Sequence, residues 1–337
     1  MKNYKQLTTV ALLLFSFLLC YPLGVAAQKN ELKFKADGTF KIVQLTDIHY
    51  VYQNKSSEEA MERIIELLKQ EQPDLILLTG DMIYGKPGDK SFLTVMHAMS
   101  SLNIPFAYTY GNHDDEQGLT RAELYKLAKD VPYNITSTTP KIHGVTNYTL
   151  EIKGSQDNKV AEVLYIIDSN SYSQIEGVGG YDYIKTDQIE WYKKMSKKYS
   201  KKNNNQPVPA LTFFHIPTPE FKAATRLKPQ DLKGHFKEEI CSPQLNSGLV
   251  CAMKEQGDVR GIFVGHDHDN DFVVDWYGIL LAYGRYSGGK TVYNNLDGNG
   301  MRVIELHEDS PAFNTWVATA KEKFPVYNYP ADFIKEK

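Results

Sequence analysis

The sequence of 337 residues has little excess of either charge, few cysteines and, beyond its first residues, no long apolar run. Its formal net charge of −3 leaves no electrostatic footprint for nucleic acid, so we expect no nucleic-acid partner. No stretch after residue 27 approaches the roughly 18 apolar residues of a membrane span, which predicts no stable span in the remaining chain. Hydrophobic residues make up 42% and charged residues 23%, which excludes disordered and collagen-like classes and provides for a sizeable core.

The first residues are typical of a secretory signal peptide. Lysines at positions 2 and 5 precede an apolar run over Leu7–Leu19, and small residues ending at Ala27 follow. This layout predicts cleavage after Ala27, removal of residues 1–27 and export to the periplasm or the medium. An uncleaved anchor is the alternative. Lipidation at Cys20 is not favoured, because the residue before it is bulky where a small one is expected.

Export also determines how the cysteines are interpreted. Loss of the signal peptide leaves Cys241 and Cys251 as the two remaining cysteines. Two cysteines in an oxidising compartment can pair, so we expect a disulfide between them. It would close a short loop and stabilise the fold by about 2–3 kcal/mol at best. The alternative is two free thiols, as in a compartment that is kept reducing.

Short apolar runs rich in β-branched and aromatic residues alternate with amphipathic helical patterns. The predicted strands are Ile42–Leu45, Leu75–Leu78, Phe106–Tyr110, Val163–Ile167, Leu211–Phe214, Ile262–Val264, Ile279–Tyr283 and Val303–Leu306. Helices are predicted over Met61–Leu68 behind a capping box at Ser56, over Phe92–Met99, behind a capping box at Thr120, and over 187–199. This alternation predicts βαβ units and a largely parallel sheet core. We expect one domain over residues 33–320 and a C-terminal tail over 321–337.

Residues that can bind metal ions follow five of these strands where each one ends. Because the C-terminal ends of parallel strands meet at one edge of an α/β sheet, residues far apart in the sequence should converge there. Five of the nine histidines lie in these motifs. The candidate metal ligands are Asp47, His49, Asp81, Asn112, His215, His266 and His268.

The types of these ligands predict the metal chemistry. Imidazole, carboxylate and one amide oxygen, without a thiolate, suit Mn, Fe or Zn. The set exceeds what one ion needs when a position stays open for water, whereas two ions that share a carboxylate would use all of it. Two divalent ions about 3.5–4 Å apart are suited to in-line phosphoryl transfer, so we expect two ions of Mn, Fe or Zn. Gly80, Gly111 and Gly265 are expected to allow the sharp turns and close backbone approach that such a site needs.

At these residues the chain resembles the calcineurin-like metallophosphoesterases, whose motifs D-x-H, GD, GNH[DE], H and GHxH occur here complete and in order. The resemblance implies an α/β fold in the form of a two-sheet α/β/β/α sandwich. It implies that one ion is bound by Asp47, His49, Asp81 and His268. It implies that the other ion is bound by Asp81, Asn112, His215 and His266, with Asp81 shared between the two.

The same resemblance implies catalytic roles for the two residues after Asn112. His113 would contact the phosphate or protonate the leaving group without binding a metal ion. Asp114 would orient His113 through a hydrogen bond, as a general-acid histidine requires.

Further stretches, among them Asn246–Gly248, resemble the short, single-domain purple-acid-phosphatase-like branch of this family. In true purple acid phosphatases the first motif lacks its histidine, and a tyrosine binds ferric iron instead. This chain has both His49 and Tyr84. We expect His49 to bind the metal and Tyr84 to line the substrate pocket, because a divalent ion near neutral pH favours imidazole over tyrosinate. Asn246 and Arg285 are further candidate substrate contacts, with a structural salt bridge as the alternative for Arg285.

These observations predict an exported, dinuclear metal-dependent phosphohydrolase, in which a metal-bridging hydroxide attacks the phosphorus of a small phosphorylated substrate. A phosphomonoesterase is favoured. A phosphodiesterase, including one for cyclic nucleotides, is the alternative, because the motifs do not separate the two reactions. A non-catalytic metal-binding scaffold is the alternative from another class of function, and a nuclease is disfavoured by the acidic charge balance.

Overall fold

The computed structural model describes residues 31–321 and 324–334. The signal peptide predicted over residues 1–27 lies outside the described residues. Within the described part, none of the helices combines the length and the apolar character that a membrane span requires.

The described chain contains thirteen strands and six α-helices. The strands are β1 (Leu32–Lys33), β2 (Thr39–Leu45), β3 (Leu75–Thr79), β4 (Phe106–Thr109), β5 (Tyr148–Lys153), β6 (Val160–Ile166), β7 (Ala210–Phe213), β8 (Val259–Val264), β9 (Val273–Trp276), β10 (Ile279–Tyr283), β11 (Gly300–His307), β12 (Phe313–Thr319) and β13 (Tyr327–Tyr329). The helices are α1 (Lys55–Glu71), α2 (Gly88–Ser100), α3 (Arg121–Ala128), α4 (Thr186–Lys202), α5 (Pro219–Leu227) and α6 (Leu249–Gln256).

The strands form two sheets, each of which contains a group of parallel strands. One sheet has the order β13-β12-β11-β2-β3-β4, and the other has the order β1-β5-β6-β7-β8-β10-β9. Strands β2, β3 and β4 are parallel, as are β6, β7, β8 and β10. Both parallel groups therefore present the C-terminal ends of several strands together, where the predicted ligands lie.

Both faces of each sheet are buried, and successive residues of a strand lie in clusters on opposite faces. Ile42 of β2 lies in the cluster between the sheets, together with Leu211 of β7. The next residue, Val43, lies in the cluster with Ile64 of α1 on the opposite face. On the outer face of the second sheet, Tyr192 of α4 packs in the same cluster as β8. The predicted two-sheet α/β/β/α sandwich is confirmed.

The eight predicted strands are all present, and the structure adds β1, β5, β9, β12 and β13. These additional strands lie toward the sheet edges. In β5, for example, Glu151 is exposed between buried Leu150 and Ile152, so no continuous apolar run marks the strand.

The two predicted capping boxes have different outcomes. The box at Thr120 is confirmed, since Thr120 and Glu123 cap each other's backbone at the start of α3. The box at Ser56 is wrong, because α1 begins two residues earlier than a cap at Ser56 requires and its cap is Asn54. The Asn54 side chain accepts a 3.1 Å hydrogen bond from the backbone N–H of Ser57.

The segment predicted to be a C-terminal tail contributes to the sheet. Strand β13 pairs with β12, and the hydroxyl of the buried Tyr329 donates a 2.9 Å hydrogen bond to Asp275. The domain boundary predicted at residue 320 is therefore too early.

The predicted disulfide is not formed, because both cysteines are free. Cys241 lies in a loop where its backbone N–H donates to Asp267, whereas Cys251 on α6 lines a cavity of about 470 Å³ together with Trp276. Burial and the Asp267 carboxylate raise the pKa of the Cys241 thiol to about 12, which disfavours the thiolate that disulfide formation requires.

Candidate metal centre

The seven predicted ligands converge at the C-terminal ends of β2, β3, β4, β7 and β8. All seven are buried, although they span more than two hundred positions of the chain. Two groups are compact enough to hold an ion, with ligand atoms within 4.8 Å of one another. These groups are Asp47, His49 and His268, and Asp81, His215 and His266.

Asp81 faces both groups of ligands. Its Oδ2 lies 3.1 Å from Nε2 of His215 and 3.8 Å from Nε2 of His49. Its Oδ1 accepts a 2.8 Å hydrogen bond from the backbone N–H of His113. This placement is the one that a carboxylate shared by two ions requires.

The donor atoms fit a metal centre better than a self-satisfied polar cluster. Asn112 Oδ1 and His266 Nε2 are buried without a hydrogen-bond partner, which is costly in a protein interior. The Nε2 atoms of His49 and His268 lie 3.1 Å apart. Imidazole, carboxylate and amide oxygen together suit Mn, Fe or Zn, so the residues present fit two divalent ions.

Hydrogen bonds on the far side of the ligands aim their donor atoms into the centre. His215 Nδ1 lies 2.8 Å from the carbonyl oxygen of Thr79, and His268 Nδ1 lies 2.8 Å from that of Tyr293. Each bond assigns the proton to Nδ1 and leaves Nε2 free to bind metal. The Asn112 amide donates to the hydroxyl of Tyr172 at 3.2 Å, which leaves its oxygen facing the ligands.

Burial and the carboxylates set the protonation of the ligands. Burial lowers the pKa of His49 and of His266 well below the usual value, which keeps both imidazoles neutral and able to bind metal. Burial alone would lower the pKa of His215 too, but the carboxylates of Asp81 and Asp47 raise it to about 9. A metal ion bound by His215 therefore has to displace a proton at neutral pH.

The backbone at the ligands adopts a conformation that is rare outside glycine. The φ angles of Asp47, His49, Asp81 and His266 are 54°, 47°, 50° and 84°. Each such residue costs on the order of 1–3 kcal/mol, and such strain concentrates at functional sites.

Glycine is required at the turns that precede the ligands, as predicted. Gly80 has a φ of 92°, and a Cβ there would lie 2.5 Å from the backbone nitrogen of Gly111. A Cβ at Gly111 would lie 2.1 Å from Oδ1 of Asp81, and one at Gly265 would lie 1.9 Å from Oγ1 of Thr46. Any larger residue would displace the ligands.

The family model described as Calcineurin-like phosphoesterase matches residues 40–270 of the chain. The chain belongs to the calcineurin-like phosphoesterase family. The candidate metal ligands therefore lie at the strand ends of a calcineurin-like phosphoesterase fold.

Similar proteins occur in plants and yeast. The Arabidopsis thaliana protein named Probable inactive purple acid phosphatase 29 is 34% identical over 328 residues, which cover 84% of this chain and 82% of that protein. Phosphatase DCR2 of Saccharomyces cerevisiae is 30% identical over 91% of this chain and 58% of its own length. The crystal structure of a dimetal phosphatase from Danio rerio shares the fold, with a TM-score of 0.57 at 13% identity over 86% of this chain and 99% of that chain.

His113 lies beside the metal ligands of this calcineurin-like phosphoesterase, with a partner that differs from the predicted one. Its ring centroid lies 5.5 Å from that of His49, and its side chain is 27% exposed. Its Nδ1 lies 2.6 Å from Oε2 of Glu116, within a short helical turn. Glu116, not Asp114, is therefore the carboxylate that orients His113.

Asp114 instead holds the turn that carries Asp81. Its two carboxylate oxygens accept hydrogen bonds from the backbone N–H groups of Asp81, Met82 and Gly111, at 2.8–3.0 Å. Burial and the neighbouring Asp81 carboxylate raise the pKa of Asp114 to about 7. The prediction that Asp114 hydrogen-bonds His113 is wrong, because these backbone donors occupy its carboxylate.

Glu116→Gln should lower the rate about tenfold while both metal ions stay bound, because the amide cannot stabilise a charged His113 as the carboxylate does. Steady-state rates with an alkyl phosphate and with 4-nitrophenyl phosphate, together with metal analysis, measure this. The loss should be larger for the alkyl phosphate. Glu59→Gln on the exposed side of α1 is the matched control, and an equal loss in both variants would contradict the role.

Two predicted substrate contacts lie elsewhere. The Arg285 side chain is fully buried and forms a 2.5 Å ion pair with Asp271, and its Nε donates to the carbonyl of Gly298 at 2.9 Å. Arg285 therefore forms a structural salt bridge, which was the alternative to its predicted role as a substrate contact. Asn246 lies in the cavity that Cys251 lines, where its amide donates to Glu220 at 2.7 Å. Neither residue contacts a metal ligand.

Arg285→Gln should lower the free energy of unfolding by about 3–5 kcal/mol, because it leaves the Asp271 carboxylate buried without its partner. Urea denaturation measures this. KM should change little, and Arg226→Gln on the exposed face of α5 is the control. A raised KM with unchanged stability would show instead that Arg285 contacts the substrate.

Aromatic residues that the motifs do not include complete the surroundings of the centre. Tyr84 lies where it was expected, with its ring 5.4 Å from His49 and 5.0 Å from His113. Tyr181 packs edge-on against His266 at 4.3 Å and stacks with Tyr172 at 5.6 Å. The abundance of tyrosine, 22 in the chain, is a signal of such a pocket, but it does not identify the positions.

Proposed function

We propose that this protein is an exported phosphomonoesterase that uses two divalent metal ions. The observation that carries the proposal is the pair of facing ligand groups, joined by Asp81, with His113 and Glu116 beside them. Membership of the calcineurin-like phosphoesterase family supports hydrolysis of phosphate esters. The word "phosphatase" in the names of the plant and yeast relatives supports a monoester substrate.

The residues of the chain perform three tasks in this reaction. The ligands hold two ions, which when bound activate the attacking water and neutralise charge on the phosphate oxygens. Asp81 keeps the two ligand groups in a fixed relation, and the backbone hydrogen bonds from its turn to Asp114 keep Asp81 in place. Glu116 holds Nδ1 of His113, so that Nε2 can carry the proton for the departing alkoxide.

Two other functions have some support. A phosphodiesterase would use the same ligands. A non-catalytic scaffold is suggested by the word "inactive" in the name of the plant relative and by a structural neighbour, GAP50, described as the anchor in the inner membrane complex of Plasmodium. GAP50 has a TM-score of 0.55 at 13% identity over 89% of this chain and 90% of its own, so it shares the fold alone. The ligand set in this chain is complete, which argues for catalysis.

The experiment compares 4-nitrophenyl phosphate with bis(4-nitrophenyl) phosphate as substrates of the Mn²⁺-loaded protein. We expect the monoester to be hydrolysed at least about tenfold faster in kcat/KM. Equal or faster hydrolysis of the diester would make the protein a phosphodiesterase. Two bound ions without hydrolysis of either substrate would establish the scaffold.

Export is proposed on the signal-peptide pattern of the first residues. Expression of the full chain in a Gram-negative host, followed by fractionation and N-terminal sequencing, tests it. The proposal expects a mature chain in the periplasm that begins at Gln28. An intact N-terminus on protein from the cytoplasm would contradict it.

A further inference from the structure

Three tyrosines beside the metal ligands keep much of their surface exposed. Tyr84 is 39% exposed, Tyr172 is 39% exposed and Tyr293 is 53% exposed. Each ring therefore keeps free surface on which a flat group could stack, and the three lie at one site. We refer to Tyr84, Tyr172 and Tyr293 as the tyrosine rim.

Each ring of the tyrosine rim touches residues of the metal centre. Tyr84 lies edge-on to His49 and His113. The ring of Tyr293 lies 4.5 Å from that of His268, at an angle of 31°. Tyr172 accepts a hydrogen bond from Asn112 through its hydroxyl. The rim therefore stands where the part of a substrate beyond its phosphate has to lie.

Two rings of the rim are held in fixed orientations by their hydroxyl groups. Tyr172 donates to Glu116 at 2.8 Å, and Tyr293 donates to Glu238. The ring of Tyr172 also stacks on Tyr181, with 26° between the planes. Rings that are fixed before binding lose little entropy when a ligand stacks on them.

The charge beside the rim is negative. Glu116 and Glu238 hold the two tyrosine hydroxyls, and the Glu116 side chain is 37% exposed. A second phosphate on the substrate would approach these carboxylates and be repelled. The surroundings thus favour an uncharged, flat group over a polyanion.

We propose that the tyrosine rim binds the alcohol part of the substrate and that this alcohol carries a flat aromatic ring, as in an arylmethyl ester or a nucleotide. The inference rests on the proposed hydrolysis of phosphate esters and names its substrate class. Stacking on one fixed tyrosine favours the ring-bearing substrate about tenfold in kcat/KM.

Two matched substrate pairs test the inference with the Mn²⁺-loaded protein. Benzyl phosphate and cyclohexylmethyl phosphate have similar size and similar leaving alcohols, but only the first has an aromatic ring. Adenosine 5′-monophosphate and ribose 5-phosphate likewise share their leaving hydroxyl. We expect the ring-bearing member to exceed the other about tenfold in kcat/KM in at least one pair. A preference in the first pair indicates an arylmethyl ester, and one in the second indicates a nucleotide.

Variants of the rim assign the preference to its rings. Tyr293→Leu and Tyr84→Leu should each lower the ratio within a pair at least about threefold, whereas Tyr293→Phe keeps the ring and should keep the ratio. Tyr277→Leu is the control, because Tyr277 is 63% exposed on the β9–β10 turn beside Trp276. Hydrolysis of both members at equal rates would overturn the inference while the proposed function stands, as would a ratio that the Leu variants leave unchanged. If no substrate of either pair were hydrolysed, the proposed function itself would be contradicted.

Discussion

His215→Ala should lose one metal ion and reduce kcat/KM by more than about 10³-fold, which corresponds to about 4 kcal/mol of transition-state stabilisation. His215 belongs to one of the two ligand groups, and its side chain is fully buried. Removal of the ring leaves Asp81 without the group that lies 3.1 Å from it. Metal analysis of the purified variant and rates with a phosphomonoester measure the two losses together.

His97→Ala is the matched control for this prediction, because His97 is exposed on α2, away from the ligands. It should keep two ions per chain and full activity. A His215→Ala protein that retains two ions and most of its activity would show that the second ion does not depend on this ligand.

His113→Ala should retain both metal ions and lose about 10²–10⁴ in rate, the usual scale for general acid catalysis. The ring lies beside His49 but belongs to neither ligand group, and its Nδ1 is held by Glu116. The loss should be large for alkyl phosphates, whose alkoxides need a proton. It should shrink for 4-nitrophenyl phosphate, whose leaving group departs unprotonated.

A series of phosphate esters with graded leaving-group pKa values makes this difference quantitative. The dependence of log kcat/KM on that pKa should become steeper in His113→Ala than in the unaltered protein. Parallel lines for the two proteins would contradict proton donation and leave His113 with phosphate binding alone. Loss of a metal ion from His113→Ala would show instead that His113 is a metal ligand.

The ligands of the metal centre could be predicted from the sequence, because their positions follow from where the buried parallel strands end. Each ligand follows a buried strand, but the strands belong to both sheets: Asp47 follows β2 in one sheet and His268 follows β8 in the other, and the two ligands meet where the C-terminal ends of both parallel groups converge. The left-handed backbone of Asp47 and Asp81 is not evident from residue types, since only the neighbouring glycines indicate a tight turn.

The surroundings of the ligands were predicted less well, because they depend on how short turns and loops direct each side chain. One helical turn after β4 points Glu116 at His113 and Asp114 back at the strand-end backbone, whereas Asp114 was expected to hold His113. The glycine-flanked Arg285 was a plausible anion contact, yet its guanidinium is turned inward to Asp271. Tyr293 has no motif of its own, and a long loop brings it to His268.

Proton release should accompany metal binding, because the pKa of His215 is raised to about 9 in the presence of Asp81 and Asp47. Below that pH His215 holds a proton that an ion must displace, so affinity for Mn²⁺ should rise about tenfold per pH unit from about pH 6 to pH 8. Calorimetry in two buffers of different ionisation enthalpy counts the protons released. Affinity that is independent of pH in this range would contradict the assignment of His215 as a ligand.

The most direct test of a catalytic two-ion centre is a titration of the metal-free protein with Mn²⁺, in which bound ions and hydrolysis of 4-nitrophenyl phosphate are followed on the same samples. Two ions should bind per chain, and activity should appear with the second, because the Asp81 carboxylate faces both ligand groups. Full activity at one ion per chain would contradict the shared centre. Two bound ions without hydrolysis would contradict catalysis.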